Sequence, residues 1–311
     1  MLPAAGAGAE NRPFEPDPGN AGAGRQLPGK SSASSEHLIF GQEELSMFSA
    51  ETVISDLNKI KNQSPLIHNI TNYVAMNITA NALLAIGASP VMAQALEEVE
   101  DMVNIASAVV INIGTLSPPW VKAMTLAIKA AAKKNIPVVL DPVGAGATPY
   151  RTETARRLLE TGPVAIVRGN ASEIRALVES GARTKGVDSL EAAEAAIEAA
   201  RELSIKSGAV VSVSGPVDYV VKEAGLISVY NGHPLMPRVT GLGCTATALT
   251  AAFASVNRNY LEAAAGAMSV MGLAGELAAQ DCHGPASFEV AFLDWLFRLS
   301  PEEISARLKI K

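Results

Sequence analysis

Ala108-Val-Val-Ile-Asn-Ile113, Ile136-Pro-Val-Val-Leu140, Val164-Ala-Ile-Val167 and Ala209-Val-Val-Ser-Val213 are four short, almost wholly apolar runs rich in β-branched residues. A strand with one face in water alternates apolar and polar side chains, whereas an unbroken run implies a strand covered on both faces. The intervening segments, Pro118 to Lys134, Tyr150 to Glu160 and Leu190 to Lys206, are longer, Ala-rich and helix-like. In the last of them the Glu and Lys residues mark a solvated face. Strand, helix, strand in repetition requires parallel pairing through right-handed crossovers. The pattern therefore predicts an α/β fold of three layers, α/β/α, with a mostly parallel central sheet. Tyr219-Val-Val221 and Leu226-Ile-Ser-Val-Tyr230, with a turn at Asn231-Gly232, predict a short antiparallel addition at one edge. From Cys244 onward the pattern is helical, and no repeat or linker interrupts residues 47–311, which are expected to form a single domain.

Around this core the composition sets bounds. The chain has 311 residues, 48% hydrophobic and 18% charged, ample for a sizeable core. Its 25 Lys and Arg against 31 Asp and Glu give a net charge of −6, so there is no basic footprint for a nucleic-acid partner, and anionic ligands must be caught locally. Two cysteines, Cys244 and Cys282, make neither a disulfide framework nor a four-thiolate zinc site, which points to a reducing, cytoplasmic setting. The most apolar late stretch, Ala263 to Ala279, is shorter than the ~20 residues of a membrane span and is broken by Gly266, Gly272 and Glu276. Residues 1–46 differ from the rest. Met1 to Lys30 is loaded with Gly, Pro and Ala, buries too little to offset its ordering entropy, and lacks the basic-then-apolar order of a secretory signal. It is expected to be either a disordered leader or an upstream misreading of the start.

In an open parallel sheet, ligands bind beyond the carboxyl ends of the strands. The four runs deliver Asn112-Ile-Gly-Thr115, Asp141-Pro-Val-Gly-Ala-Gly-Ala-Thr148, Arg168-Gly-Asn-Ala-Ser-Glu173 and Ser214-Gly-Pro216 to that rim. Any one of these loops is equally what a tight turn needs; four together point to a site. A fifth segment, Thr240-Gly-Leu-Gly-Cys244, runs into a helix-compatible stretch of small residues. Glycines at a helix start leave backbone N–H groups open to an anion, which the helix dipole favours. The same field is expected to lower the Cys244 thiol below its usual ~8.5. Asp141 and Glu173 are two strand-end carboxylates suited to Mg²⁺, and Arg168 adds a cation beside them. These are the parts that stabilise charge in phosphoryl transfer, although neither the P-loop nor the protein-kinase signature is present.

Taken in order, Ser64-Pro-Leu-Ile-His-Asn-Ile-Thr-Asn72, Gly87-Ala-Ser-Pro-Val-Met92, Asn112-Ile-Gly-Thr115, Asp141 to Thr148, Arg168 to Glu173 and Thr240 to Cys244 resemble the motif series of the hydroxyethylthiazole kinases. The resemblance runs from about Met47 to the C-terminal helices. It implies a ribokinase-like fold, a homotrimer with active sites at subunit boundaries, and ATP-dependent phosphorylation of 4-methyl-5-(2-hydroxyethyl)thiazole for thiamine biosynthesis or salvage. By the same resemblance Met92, Gly241 and Asn72 contact the thiazole, Arg168 and Ser214 contact ATP, and Asp141 and Glu173 serve Mg²⁺ and the phosphates. Ser214 stands where Thr is expected, which keeps the hydroxyl. Many ribokinase-like enzymes carry Asp as general base where this chain and the thiazole kinases carry the Cys at position 244, so the catalytic role falls on that thiol.

The residues leave other readings to be weighed. Val138-Val-Leu-Asp-Pro-Val-Gly-Ala-Gly146 is a strand followed by Gly-x-Gly, as in a nicotinamide-dinucleotide oxidoreductase, but the third glycine is missing and the next strand ends at Arg168, which suits a 2′-phosphate, with no acid at that end to hold a ribose. A cysteine hydrolase would need a histidine near Gly241-Leu-Gly-Cys244, and only His233 precedes it closely. A non-catalytic binding protein would not need Asp141, Glu173 and Cys244 together. Within the kinases, a pyrimidine or pyridoxal alcohol is the alternative substrate. His68 is expected to be a structural hydrogen-bonding residue and Met92 doubles as a core filler. Cys282, His283 and His233 show no convergent metal spacing.

Overall fold

Along the sheet the side chains divide strictly by parity. Val109, Ile111, Val138, Leu140, Val167, Val211 and Val213 enter one apolar cluster, while Val110, Val139, Ile166 and Val210 enter another on the opposite face. That division is the two-residue period of a strand with both faces buried, and it explains why the apolar runs show no alternation. The structure, a computed structural model, describes residues 48–179 and 189–311. The described residues form one compact unit; the expectation for 1–46 falls outside them.

Among the described residues eight strands make one sheet: β1 (Leu66–Ile70), β2 (Ser89–Met92), β3 (Ala108–Asn112), β4 (Val138–Asp141), β5 (Ile166–Asn170), β6 (Val210–Ser214), β7 (Asp218–Lys222) and β8 (Gly225–Val229). Their order is β2-β1-β3-β4-β5-β6-β7-β8. The first six are parallel and the last two antiparallel. One face is covered by α3 (Val99–Ile105), α4 (Pro118–Lys134), α5 (Pro149–Thr161), α6 (Ala171–Val178) and α7 (Ser189–Ser207). The other is covered by α1 (Ala50–Gln63), α2 (Met76–Ala85), α8 (Leu242–Val256), α9 (Tyr260–Gln280), α10 (Pro285–Arg298) and α11 (Pro301–Arg307). Three layers with a mostly parallel sheet are what the sequence predicts. On α7, Glu194, Glu198 and Glu202 are exposed while Ala196, Ala199, Ala200 and Leu203 are buried, so its charged side is indeed solvated.

Three details differ from the sequence expectation. The turn of the antiparallel addition lies at Glu223-Ala224, between the paired Lys222 and Gly225, with Glu223 at φ 50°; Asn231-Gly232 comes after β8 and is bound elsewhere. The third run is shifted, its strand extending through Arg168 to Asn170, because the ladder to β6 continues to Asn170↔Ser214. Finally, β1 and β2 carry no clear apolar run. His68 and Asn69 sit in the middle of β1, fully buried, and β2 is an edge strand that tolerates Pro90.

Candidate active site

The carboxyl ends of β1, β3, β4 and β5 meet the start of α8, and a chain of polar groups crosses that junction. Asn72 Nδ2 donates to Cys244 Sγ at 3.2 Å and to Asn112 Oδ1 at 2.9 Å. Asn112 Nδ2 donates to Asp141 Oδ2 at 2.7 Å, and Thr247 Oγ1 donates to the same oxygen at 2.7 Å. Two backbone donors fix the amide orientations: Ala75 N–H to Asn72 Oδ1 at 3.1 Å and Gly114 N–H to Asn112 Oδ1 at 2.9 Å. Gly114 has to be glycine, since a Cβ there would lie 2.6 Å from Asn72 Nδ2. Among the described residues no hydrogen bond ends on Asp141 Oδ1.

Burial dominates the acid–base character of this junction. It pushes the Asp141 carboxyl up to about 7; Glu173 adds to the rise, and Arg168 with the Thr247 and Asn112 donors opposes it. The Cys244 thiol is likewise pushed above its usual value, first by burial and then by the Asp141 carboxylate, against the Asn72 donor and Arg168. This corrects the expectation that the helix start lowers it. Cys244 occupies the first turn of α8 as foreseen, but desolvation and a neighbouring carboxylate outweigh the dipole there.

Gly241, at φ 85°, begins α8, and a Cβ on it would meet Ile78 Cγ2 at 2.9 Å. No side chain caps this helix, so the N–H groups of its first turn stay available to an anion, as the two glycines predict. Arg168 lies beneath them. Its guanidinium donates to Gly243 O at 2.9 Å and Ser214 Oγ at 2.7 Å, while its buried Nε has no partner among the described residues. Arg168 and Ser214 also line a cavity of about 730 Å³ together with Asp218, His233, Met236 and Met271. Asp218, held by Gly215 N–H at 2.9 Å, is raised to about 6 by burial.

Glu173 is placed at the rim but is more heavily engaged than foreseen. Its Oε1 accepts from Gly144 N–H and its Oε2 from Asn170 N–H, both at 2.8 Å. With Asn170 it forms the capping box of α6, and it thereby ties the loop after Asp141 to that helix. Arg151 secures the same region through the carbonyls of Ile113, Val143 and Gly114. Met92 lies on the edge strand, paired with Asn69, with β1 and β3 between it and Asp141. His68 has the structural role expected: its Nε2 binds Ala93 O at 2.7 Å and burial lowers its pKa. His233 walls the cavity; Cys282 stands just past the far end of α9, its thiol 3.7 Å from Ala279 O. The sequence assigned no role to Asn112, Thr247 or Asp218. A polar residue closing an apolar run was the available signal for Asn112, and Thr247 lies three residues after Cys244 on α8.

Comparison with known proteins bears on this arrangement. The model of the Hydroxyethylthiazole kinase family matches residues 57–302. The chain is 56% identical over 262 residues to a hydroxyethylthiazole kinase of Syntrophus aciditrophicus, covering 84% of this chain and 97% of that protein. It is 52% identical to one of Leptospira biflexa over 84% of this chain and 98% of the relative. The solved hydroxyethylthiazole kinase of Pyrococcus horikoshii superposes with a TM-score of 0.78 at 42% identity, covering 84% and 98% of the two chains. A Staphylococcus aureus pyridoxal kinase shares the fold, with a TM-score of 0.53 at 17% identity over 68% of this chain and 88% of that one. With an uncapped helix start, a buried arginine and a carboxylate–amide–thiol chain on the rim of such a sheet, the chain belongs to the hydroxyethylthiazole kinase family.

Proposed function

We propose that this protein transfers the γ-phosphoryl group of ATP to the hydroxyl of 4-methyl-5-(2-hydroxyethyl)thiazole, in thiamine biosynthesis or salvage in the cytoplasm. The observation that carries the reading is the convergence of the open α8 N-terminus, Arg168 and the Cys244-Asn72-Asn112-Asp141 chain at one rim. Phosphoryl transfer needs little covalent chemistry from the protein, and positioning with charge stabilisation supplies most of the rate. Arg168 and Ser214 hold the nucleotide phosphates, and the N–H groups after Gly241 receive the phosphoryl oxygens. The substrate hydroxyl attacks phosphorus as the bond to ADP breaks, and its proton passes to Cys244 Sγ in the small thiolate fraction that the raised thiol leaves, the thiol's own proton having gone to solvent beforehand. Asn72, Gly241 and Met92 border the thiazole.

Magnesium is implied by the family. Among the described residues no three His, Cys, Asp or Glu side chains cluster as a metal cage. Mg²⁺ in kinases, however, takes one or two carboxylates and completes its shell with phosphates and water. Asp141 Oδ1, free of hydrogen bonds among the described residues, fits that role, and each Glu173 oxygen keeps a lone pair beyond the N–H contact described for it. When bound, the ion neutralises charge developing between the phosphates. The partners are thus ATP and the thiazole, with a homotrimer as the working assembly. Tyr73 and Val74, 67% and 63% exposed, directly follow Asn72, which favours a second copy covering the site edge.

ATP consumption with a panel of thiazole, pyrimidine and pyridoxal alcohols tests the substrate, and only the thiazole is expected to turn over rapidly. Excess EDTA is expected to abolish turnover; undiminished activity after full chelation refutes the magnesium role. A fully active monomer by light scattering refutes the shared site. Among the described residues no helix is long and apolar enough to cross a membrane.

A further inference from the structure

The segment after β8 forms a wall of the cavity that holds Arg168 and Ser214, with Asn231, Gly232 and Met236 among its lining. It rests on α9 at two glycines. A Cβ on Gly272 would lie 2.5 Å from Asn231 O, and one on Gly275 would lie 2.5 Å from Met236 Sδ. So close an approach buries Asn231, and a three-residue cluster satisfies its polar groups and the neighbouring Gly232 N–H. Asn231, only 4% exposed, donates from Nδ2 to Glu276 Oε1 at 3.2 Å and to Arg307 O at 2.9 Å, while its Oδ1 accepts from Lys309 N–H at 2.8 Å. Glu276 Oε1 also accepts from Gly232 N–H at 3.1 Å, and both its oxygens accept from Lys309 Nζ, at 3.0 and 3.1 Å.

Lys309 is held in turn by the sheet. Tyr230 N–H donates to Lys309 O at 2.8 Å, and Ser228 and Lys311 exchange bonds of 2.8 and 2.9 Å. The segment Lys309–Lys311 thus lies along the outer edge of β8, with Ile310 bridged to Val229. Neither Glu276 nor Lys309 lines the cavity; both act on it through Asn231 and Gly232.

We infer that Asn231, Glu276 and Lys309 are positioning residues for the nucleotide: they clamp the cavity wall between α9 and the strand-like C-terminal segment. The inference rests on the reading that ATP occupies this cavity. Loosening the clamp leaves the thiazole end of the rim, at Asn72 and Cys244, untouched, so it weakens nucleotide binding selectively. A general loss of structure would weaken both ligands.

Calorimetric titration of the full chain with a non-hydrolysable ATP analogue and magnesium, and separately with the thiazole, tests this. Glu276→Ala strips the acceptor from Gly232 N–H and from one of the two Asn231 Nδ2 hydrogen bonds, and Lys309→Pro removes one backbone N–H and one ammonium at the outer edge. Each is expected to weaken the analogue about tenfold and the thiazole less than about twofold. Glu276→Gln keeps the oxygen facing Asn231 and Gly232 and loses mainly an exposed ion pair, so it is expected within about threefold of the parent. Folding of each variant is checked by circular dichroism; if Glu276→Ala does not fold, Lys309→Pro decides alone. Unchanged analogue affinity in a folded variant, or equal loss for both ligands, overturns the clamp. Failure of the parent chain to bind the analogue overturns the reading of the cavity, and the clamp with it.

Discussion

Replacing Asp141 by Asn tests whether this site is built at the expense of stability. The carboxyl is buried and titrates at about 7 in the folded chain against 3.8 in its ordinary state. The folded state therefore binds the proton more tightly throughout that window, and stability falls as pH rises from about 4 to about 7. A rise of roughly three pH units, at ~1.4 kcal/mol each, sets a ceiling of ~4 kcal/mol on the destabilisation at and above neutral pH. Asn has the same shape, and its amide oxygen can accept the Asn112 and Thr247 donors that now reach Oδ2. Asp141→Asn is thus expected to be more stable than the parent by about 2–4 kcal/mol at about pH 8 and nearly equal to it at about pH 4. For a chain of this size that is a rise in Tm of roughly 5–10 °C at the higher pH. Chemical denaturation of both proteins in EDTA, at intervals across this range, provides the curve. A stability difference that does not change with pH, or an Asn variant weaker than the parent at about pH 8, refutes the reasoning. Phosphoryl transfer by the variant is expected to be nearly lost, as befits a group kept for function.

Cys244→Asp places a group of lower intrinsic pKa at the same reach and is expected to keep or raise kcat, whereas Cys244→Ala lowers it about a hundredfold without abolishing it, the residue of rate coming from positioning; a folded, ATP-binding but inactive Asp variant removes Cys244 as the base. Glu173→Gln can accept only one of the two backbone N–H groups now bound, so it is expected to lose about 1–2 kcal/mol by denaturation and much of kcat with little change in thiazole affinity. Gly114→Ala drives a Cβ against Asn72, and turnover is expected to fall at least about tenfold with a stability loss of about 1–3 kcal/mol; unchanged kcat shows that Asn72 does not position the thiol.

The fold was legible where burial is two-sided. Runs such as Ala108 to Ile113 carry the strand signal in every residue, and the loops that follow them sit at one rim because a parallel sheet puts all its carboxyl ends together. It was illegible where a strand carries polar groups inside: His68 and Asn69 break the apolar run of β1, yet they are buried because Ala93 O and Ile67 O take their hydrogens. Arg168, Asp141 and Gly241 were visible as residue types in telling positions. Asn72 was named only as a thiazole contact, and the hydrogen-bond chain was not visible, because Asn72, Asn112 and Thr247 lie 40 and 135 residues apart along the chain and meet only in the folded structure. The sign of the Cys244 shift was hidden for the same reason. A helix start can be read locally, but the burial that outweighs it, and after it the Asp141 carboxylate, come from elements distant in the chain that pack around the thiol.

The amide chain explains how two mutually repelling acids share a dry junction. An asparagine has a donor end and an acceptor end, and at Asn72 and Asn112 the acceptor end is fixed by backbone N–H groups from Ala75 and Gly114. Neither amide can turn over without leaving a backbone N–H unpaired, which for the fully buried Ala75 costs about 1–3 kcal/mol. Each therefore shows N–H to its neighbour, and the donors end at Cys244 Sγ and Asp141 Oδ2. Both groups receive a donor that favours their charged form, so the junction opposes the burial that would keep them neutral. Arg168 acts in the same sense on both at a distance, because its own hydrogen bonds go to Gly243 O and Ser214 Oγ and to neither acid. The arrangement holds the carboxyl near its titration point and the thiol in reserve, while the polarity that prepares both is carried by backbone groups that side-chain chemistry cannot disturb.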